Sequence, residues 1–224
     1  MISVVKQRDR AQRRPRADGE RTRGAILRAA ASLATVDGLE GLSIGNLAAA
    51  IGMSKSGLYA HFGSKQELQL ATVDAADQIF QDVVVQPALA APPGLAQLVA
   101  LCEAYFDYLQ RRTFPGGCFF AAAALEMANR PGPVKERVAA WESEFGALVG
   151  GLVATAVEQQ ELPASEDPDR LAFELHGIML ATDTHLVLHD NPTITALARQ
   201  IVRQRLGLGN GGNASENSGR PDPA

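Results

Sequence analysis

Seven polar side chains crowd one short stretch of the chain: Ser43, Ser54, Lys55, Ser56, Tyr59, His61 and Lys65, with Gly57 among them. Two ammonium groups, several hydroxyls, an imidazole and a glycine that lets backbones come close are groups that hold phosphate oxygens and read base edges. Other constellations point to no reaction. His185 and His189 lie four apart with Asp183 nearby, but residues 186–188 are Leu-Val-Leu and lack the glutamate of a zinc hydrolase, so no metal is expected. His189 is expected instead at the negative end of a helix dipole, and His185 at an interface. Glu103 with Asp107, and Glu142 with Glu144, fall on polar helix faces and read as solvated rather than as an acid-base pair. Gly207, Gly209 and Gly211 have no strand before them and no helix after them, so they form no phosphate loop. Cys102 and Cys118 match no zinc spacing and are too few for a disulfide framework, which leaves them as reduced thiols. The expectation is a protein that is not an enzyme and carries neither metal nor cofactor.

The elements that position these residues follow from composition. Of 224 residues, 46% are hydrophobic and 21% charged, the balance of a soluble globular protein. Only 5% are aromatic and Ala is abundant, so an all-α fold is expected. The longest uncharged apolar run, residues 145–157, spans 13 residues with three glycines, short of the roughly 20 that cross a bilayer. Arg28 interrupts the only candidate for a signal-type apolar segment, and a cytoplasmic location is expected. Charge is unevenly shared. Residues 1–65 carry 11 basic against 5 acidic side chains, a net of +6, whereas residues 66–224 carry 10 against 20, a net of −10. A small positive part on an acidic body suits a protein that meets a polyanion with one end only.

Periodicity divides the chain further. Residues 1–18 lack an apolar period and read as a disordered basic arm. Ile26, Leu27, Ala30, Leu33 and Ala34 form one face of a helix from Arg21 that Gly38 closes. Ser43 caps a second helix ending at Gly52, and Ser54 caps a third ending at Gly63. Ser64 and Glu67 make a capping box for a fourth helix reaching Val84, with Leu68, Ala71, Ala75, Ile79 and Val83 inward. A linker over 87–94 and helices over 95–110, 119–129, 131–161, 168–189 and 193–206 bring the total to about nine. Residues 207–224 read as a disordered tail.

Residues 42–62 have the properties of a helix-turn-helix. Leu47, Ile51, Met53 and Leu58 are apolar where two short helices pack, Ala48 is small where they cross, and Gly52 sits where the turn needs positive φ. The string Leu42-Ser43, Leu47-Ala48, Gly52 to Tyr59, His61-Phe62, Ser64-Lys65 and Glu67-Leu68, with Ile26-Leu27 and Gly38 before it, closely resembles the DNA-binding domain of the TetR family of bacterial transcriptional regulators. Gly116-Gly117-Cys118-Phe119 with residues 129–134 resembles one subgroup of that family.

The resemblance implies a DNA-binding domain over 19–65 and a ligand-binding and dimerisation domain over 66–206. It implies a homodimer on double-stranded operator DNA, with half-sites about 34 Å apart. Ser54, Lys55, Ser56 and Gly57 would face bases; Ser43, Tyr59, His61 and Lys65 would meet phosphates. A ligand held in the larger domain would move the fourth helix and release the operator, as in a repressor; an activator, or a regulator switched by a protein partner, is the alternative. Tyr105, Phe106, Phe119, Phe120, Trp141, Phe145, His176, Met179 and Asp183 are the candidate pocket residues for a small, largely apolar molecule. Asp183 and His176, seven apart, are its expected polar groups. Phe173, Gly177, Leu180 and Thr184, with Ile194, Leu197 and Ile201, form stripes expected to pair across a two-fold axis.

Overall fold

The computed structural model describes residues 2–209, with side chains from residue 19 onward. Among the described residues every regular element is helical: α1 (Ile2–Asp37), α2 (Ile44–Ile51), α3 (Lys55–Phe62), α4 (Lys65–Phe80), a π-helical turn (Gln81–Val85), α5 (Gln86–Leu89), α6 (Leu95–Gln110), α7 (Phe119–Met127), α8 (Pro133–Glu158), α9 (Pro168–His189) and α10 (Thr193–Arg205). The α4, π and α5 pieces join end to end as one rod, so nine helical rods make up the fold.

Three boundaries differ from the sequence reading. The backbone of α1 runs back to Ile2 rather than starting at Arg21: five Arg among residues 2–18 favour helix, against Pro15, which removes one N–H from it. The fourth helix does not stop at Val84. Pro87, which lacks an N–H, falls at the start of α5, just after the π turn, where Gln86 N–H bonds back to the Gln81 carbonyl. The extra residue of the π turn also shifts the inward face. Leu68, Gln69, Thr72, Val73, Ala76, Ile79 and Phe80 are buried, then Val84, Val85 and Ala88; Ala71 and Ala75 are only half-buried and Val83 is exposed. At the far end, Gly207 takes φ 72° and Leu208 N–H bonds to the Arg203 carbonyl at 2.8 Å, so 207–209 cap α10 instead of opening a tail. The rest of the expected tail, 210–224, lies outside the described residues.

α1 to α3 form a small unit, and the rod with α6 to α10 forms the larger body. Phe80 is the body's centre. It meets Tyr105, Tyr108, Phe120, Trp141 and Phe145 edge-on at centroid distances of 5.1–6.4 Å. The carboxylates Glu103 and Asp107 lie on a partly exposed face, as expected, and also share a partner. Both hold Arg199 of α10, Asp107 at 2.7 Å. No described helix is long and apolar enough to cross a membrane.

Candidate nucleic-acid interface

Local chemistry fixes the turn between α2 and α3. Ser43 accepts the Asn46 N–H at 3.1 Å and starts α2; Gly52, at φ 69° and ψ 24°, ends it by donating to the Ala48 carbonyl. Two residues later Ser54 accepts the Gly57 N–H at 3.1 Å and starts α3. Leu47, Ala48, Leu58 and Phe62 are buried against α1 and α4. The opposite side of α3 is left outward: Ser54, Lys55, Ser56 and Tyr59 are exposed, Tyr59 by 56%, with Gly57 between them. The Lys55 side chain lies over Gly45 of α2, where a methyl group would sit 3.5 Å from its Cε. A small residue at 45 thus lets the ammonium rest beside the Ser43 cap.

His61 is half-buried, and its carbonyl accepts from Arg23 of α1, whose guanidinium also lies 4.4 Å from the Phe62 ring centre. Arg23 was not singled out in the sequence, although it stands three residues before Ile26 on the same face of α1. Lys65 stands at the start of α4 as expected, but it already has a partner: its ammonium is 2.6 Å from Glu40 Oε1. That ammonium holds the Glu40 carboxyl below the usual range.

The candidate pocket residues divide into three groups. Phe120, Trp141 and Phe145 stack, with centroids 3.5 Å and 5.3 Å apart, and the Trp141 indole donates to Asp77 at 3.0 Å. Trp141 and Phe145 also line an open groove of about 260 Å³ between the rod and α8, with Gln81, Val85, Gln86, Leu89, Glu144 and Leu148. Tyr105, Phe106, Phe119 and Met179 are buried core. Asp183 and His176 do not face one site. Asp183 accepts the Cys118 N–H at 2.8 Å at the start of α7, and burial pushes its carboxyl up to about 6. His176 instead faces Glu142 at 3.6 Å and the Phe145 edge; burial lowers its pKa and raises that of Glu142.

On α9, Phe173, Gly177, Leu180 and Thr184 are all exposed, Phe173 by 80%, and Leu197 and Ile201 are exposed on α10, with Ile194 half-buried beside them. Among the described residues no cluster of three or more His, Cys, Asp or Glu could hold a metal, and the rings of His185 and His189 lie 4.6 Å apart. Cys102 and Cys118 are buried free thiols.

A three-helix unit with an outward-facing third helix, set on a helical body, defines a DNA-binding transcriptional regulator. Family comparison is specific. Residues 26–72 match the bacterial regulatory proteins of the tetR family, and residues 94–202 match the tetracyclin repressor-like C-terminal domain. This chain belongs to the TetR family of transcriptional regulators. Among solved structures it is similar to a TetR transcriptional regulator from Chloroflexus aurantiacus J-10-FL, with 26% identity, a TM-score of 0.78, and 85% of this chain and 96% of that one covered. It shares its fold with SCO4454, a TetR-family regulator from Streptomyces coelicolor, at 23% identity and a TM-score of 0.69, covering 84% and 88% of the two chains. It also shares it with AibR, solved in complex with isovaleryl coenzyme A and operator DNA, at 24% identity and a TM-score of 0.63, covering 81% and 97%. No curated protein matches the chain.

Proposed function

We propose that this family member is a homodimeric, cytoplasmic repressor, released from a near-palindromic operator by a small, largely apolar molecule. The observation that carries the reading is the groove beside the π turn. Gln81, Val85, Gln86 and Leu89 lie on the same rod that begins with Lys65 at the interface, so an occupant presses on the element that carries the reading unit. π turns inside α-helices gather at functional sites. The walls are Val85, Leu89, Trp141, Phe145 and Leu148, with Gln81, Gln86 and Glu144 as polar groups and no basic side chain. That lining favours an uncharged or cationic apolar molecule over a polyanion such as the coenzyme A thioester in the AibR structure.

Ser54, Lys55, Ser56 and Gly57 are assigned to base edges, and Ser43, Tyr59, His61 and Lys65 to phosphates. The exposed stripes of α9 and α10 are assigned to the two-fold interface. The test is selection of duplexes from a random-sequence pool. The expected product is an inverted repeat with half-sites about one helical turn apart, bound less tightly as salt rises. An unenriched pool overturns the reading. A panel of uncharged and cationic aromatic molecules is then titrated against the selected duplex. Release accompanied by a change in Trp141 fluorescence supports the switch; a panel that moves neither favours a protein partner.

A further inference from the structure

The link between the reading unit and the body includes a carboxylate in an unexpected place. Glu126 lies in the last turn of α7, where the helix dipole is negative and an acidic side chain is disfavoured. It is aimed at the turn between α1 and α2. Its Oε2 accepts the Leu39 N–H at 2.6 Å and its Oε1 accepts the Glu40 N–H at 2.8 Å. Gly38, at φ 83°, makes room for it, since a methyl group there would stand 2.9 Å from Oε1. Two further polar groups of this turn are held by the body: Gln69 of α4 donates to the Leu39 carbonyl at 2.8 Å, and Lys65 holds the Glu40 side chain. At the opposite end of α7, Gly116 N–H donates to Thr35 Oγ1 of α1 at 3.1 Å. α7 is therefore tied to α1 and its following turn at two separated points.

We propose that Glu126 is a positioning residue for operator recognition, holding the reading unit at the angle that matches the half-site spacing. The proposal rests on the reading of the chain as a two-headed operator-binding protein. A rigid body fixed by two neighbouring amides cannot rotate about either one alone. Loss of the carboxylate leaves the α2–α3 surface and the remaining ties in place but widens the range of angles the unit can take, so contacts to one half-site persist while the separation of the two is less sharply set.

The experiment uses the full chain and the duplex enriched from the random pool. Glu126→Ala and Glu126→Gln are compared with the parent on that duplex, on versions with one base pair added to or removed from the spacer, and on a random-sequence duplex. Glu126→Gln keeps the shape but turns an amide N–H donor toward one of the two backbone donors. Leu125→Ala, at a neighbouring side chain that is 82% exposed, is the control. The expected result is that affinity for the selected duplex falls about tenfold and the preference for native spacing shrinks by a similar factor, as loss of a charged hydrogen-bond acceptor predicts. Affinity for random duplex stays within about twofold of the parent, because the phosphate-binding surface is unchanged. Unaltered spacing preference in both variants overturns the proposal. So does an equal loss on every duplex, or failure of both variants to fold, since either makes Glu126 a folding contact. An unenriched pool would instead count against the functional reading itself, and the two failures are distinct.

Discussion

Lys65 cannot serve an operator phosphate and the Glu40 carboxylate with the same ammonium protons. Both side chains are nearly half exposed, so their pairing is weak and a phosphate can displace it. Glu40→Gln is therefore expected to raise affinity for random-sequence duplex, where no spacing is read, by about two- to fivefold. Lys65→Ala should lower it and reduce the slope of log affinity against log salt by about two for a dimer, one per subunit, both measured by titration at several salt concentrations. Asp183 makes a second prediction. Its folded pKa, about 6, lies above the value near 3.8 of an unburied carboxyl. The folded state therefore binds the proton more tightly. The fold is favoured by this group most fully below about pH 4, and an amount on the order of 3 kcal/mol is lost as pH rises from there through about 6. Asp183→Asn keeps an acceptor for the Cys118 amide and removes the ionisation, so its urea midpoint should exceed the parent's at pH 7.5, and the gap should narrow through about pH 5 and close below about pH 4. The variant-minus-parent difference is the quantity to follow, because the lowered pKa of His176 tilts both profiles the other way. Caps and outward residues such as Ser43, Ser54 and Lys55 were readable from sequence, since each acts within four residues of itself. Glu126 and Glu40 were not, because their partners stand 86 and 25 positions away and no local pattern announces them.

Among the elements, α7 is the one whose seat is defined by missing side chains. A methyl group on Gly116 would overlap the Thr35 carbonyl oxygen of α1, and one on Gly117, at φ 93°, would strike the Asp183 carboxylate of α9. The paired glycines seat this loop between α1 and α9 at backbone distance. Gly116→Ala is expected to cost about 1–3 kcal/mol, because backbone must move to admit the methyl group. The loss should appear as a lower thermal midpoint. The spacing of apolar residues located α2, α3, α6 and α9 at their observed limits, since each has a clear cap or a following breaker. It failed along the rod, where Pro87 suggested a linker. A π turn changes the helical period by one residue, and a fixed period of 3.6 cannot follow it.

For the molecule as a whole, the assigned two-fold interface accounts for the large apolar side chains left outward on α9 and α10. Covering what Phe173, Leu180, Leu197 and Ile201 still expose would contribute about 0.5–2.5 kcal/mol each, and Gly177 between them admits a neighbouring backbone closely. Charge placed at this surface, as Leu180→Glu with Ile201→Glu, should convert the chain to a monomer by sedimentation at micromolar concentration and abolish operator binding. Binding to random duplex should fall much less, since one reading unit still meets phosphates. These stripes were visible in the sequence because nothing in the chain itself required so wide an apolar face. The groove was not, because it depends on how the rod and α8 diverge.

Phe80 sets the manner in which such a rod can travel. It closes α4 at the point where the helix widens, and five rings meet it edge-on. Edge-to-face contacts are lost together when the central ring shifts and are regained only at another snug seat. Under the proposed switch the ring would act as a detent: the rod would stay put under small pushes and then jump to a new seat, so each molecule would answer with a click and intermediate output would arise only from the mixture of molecules.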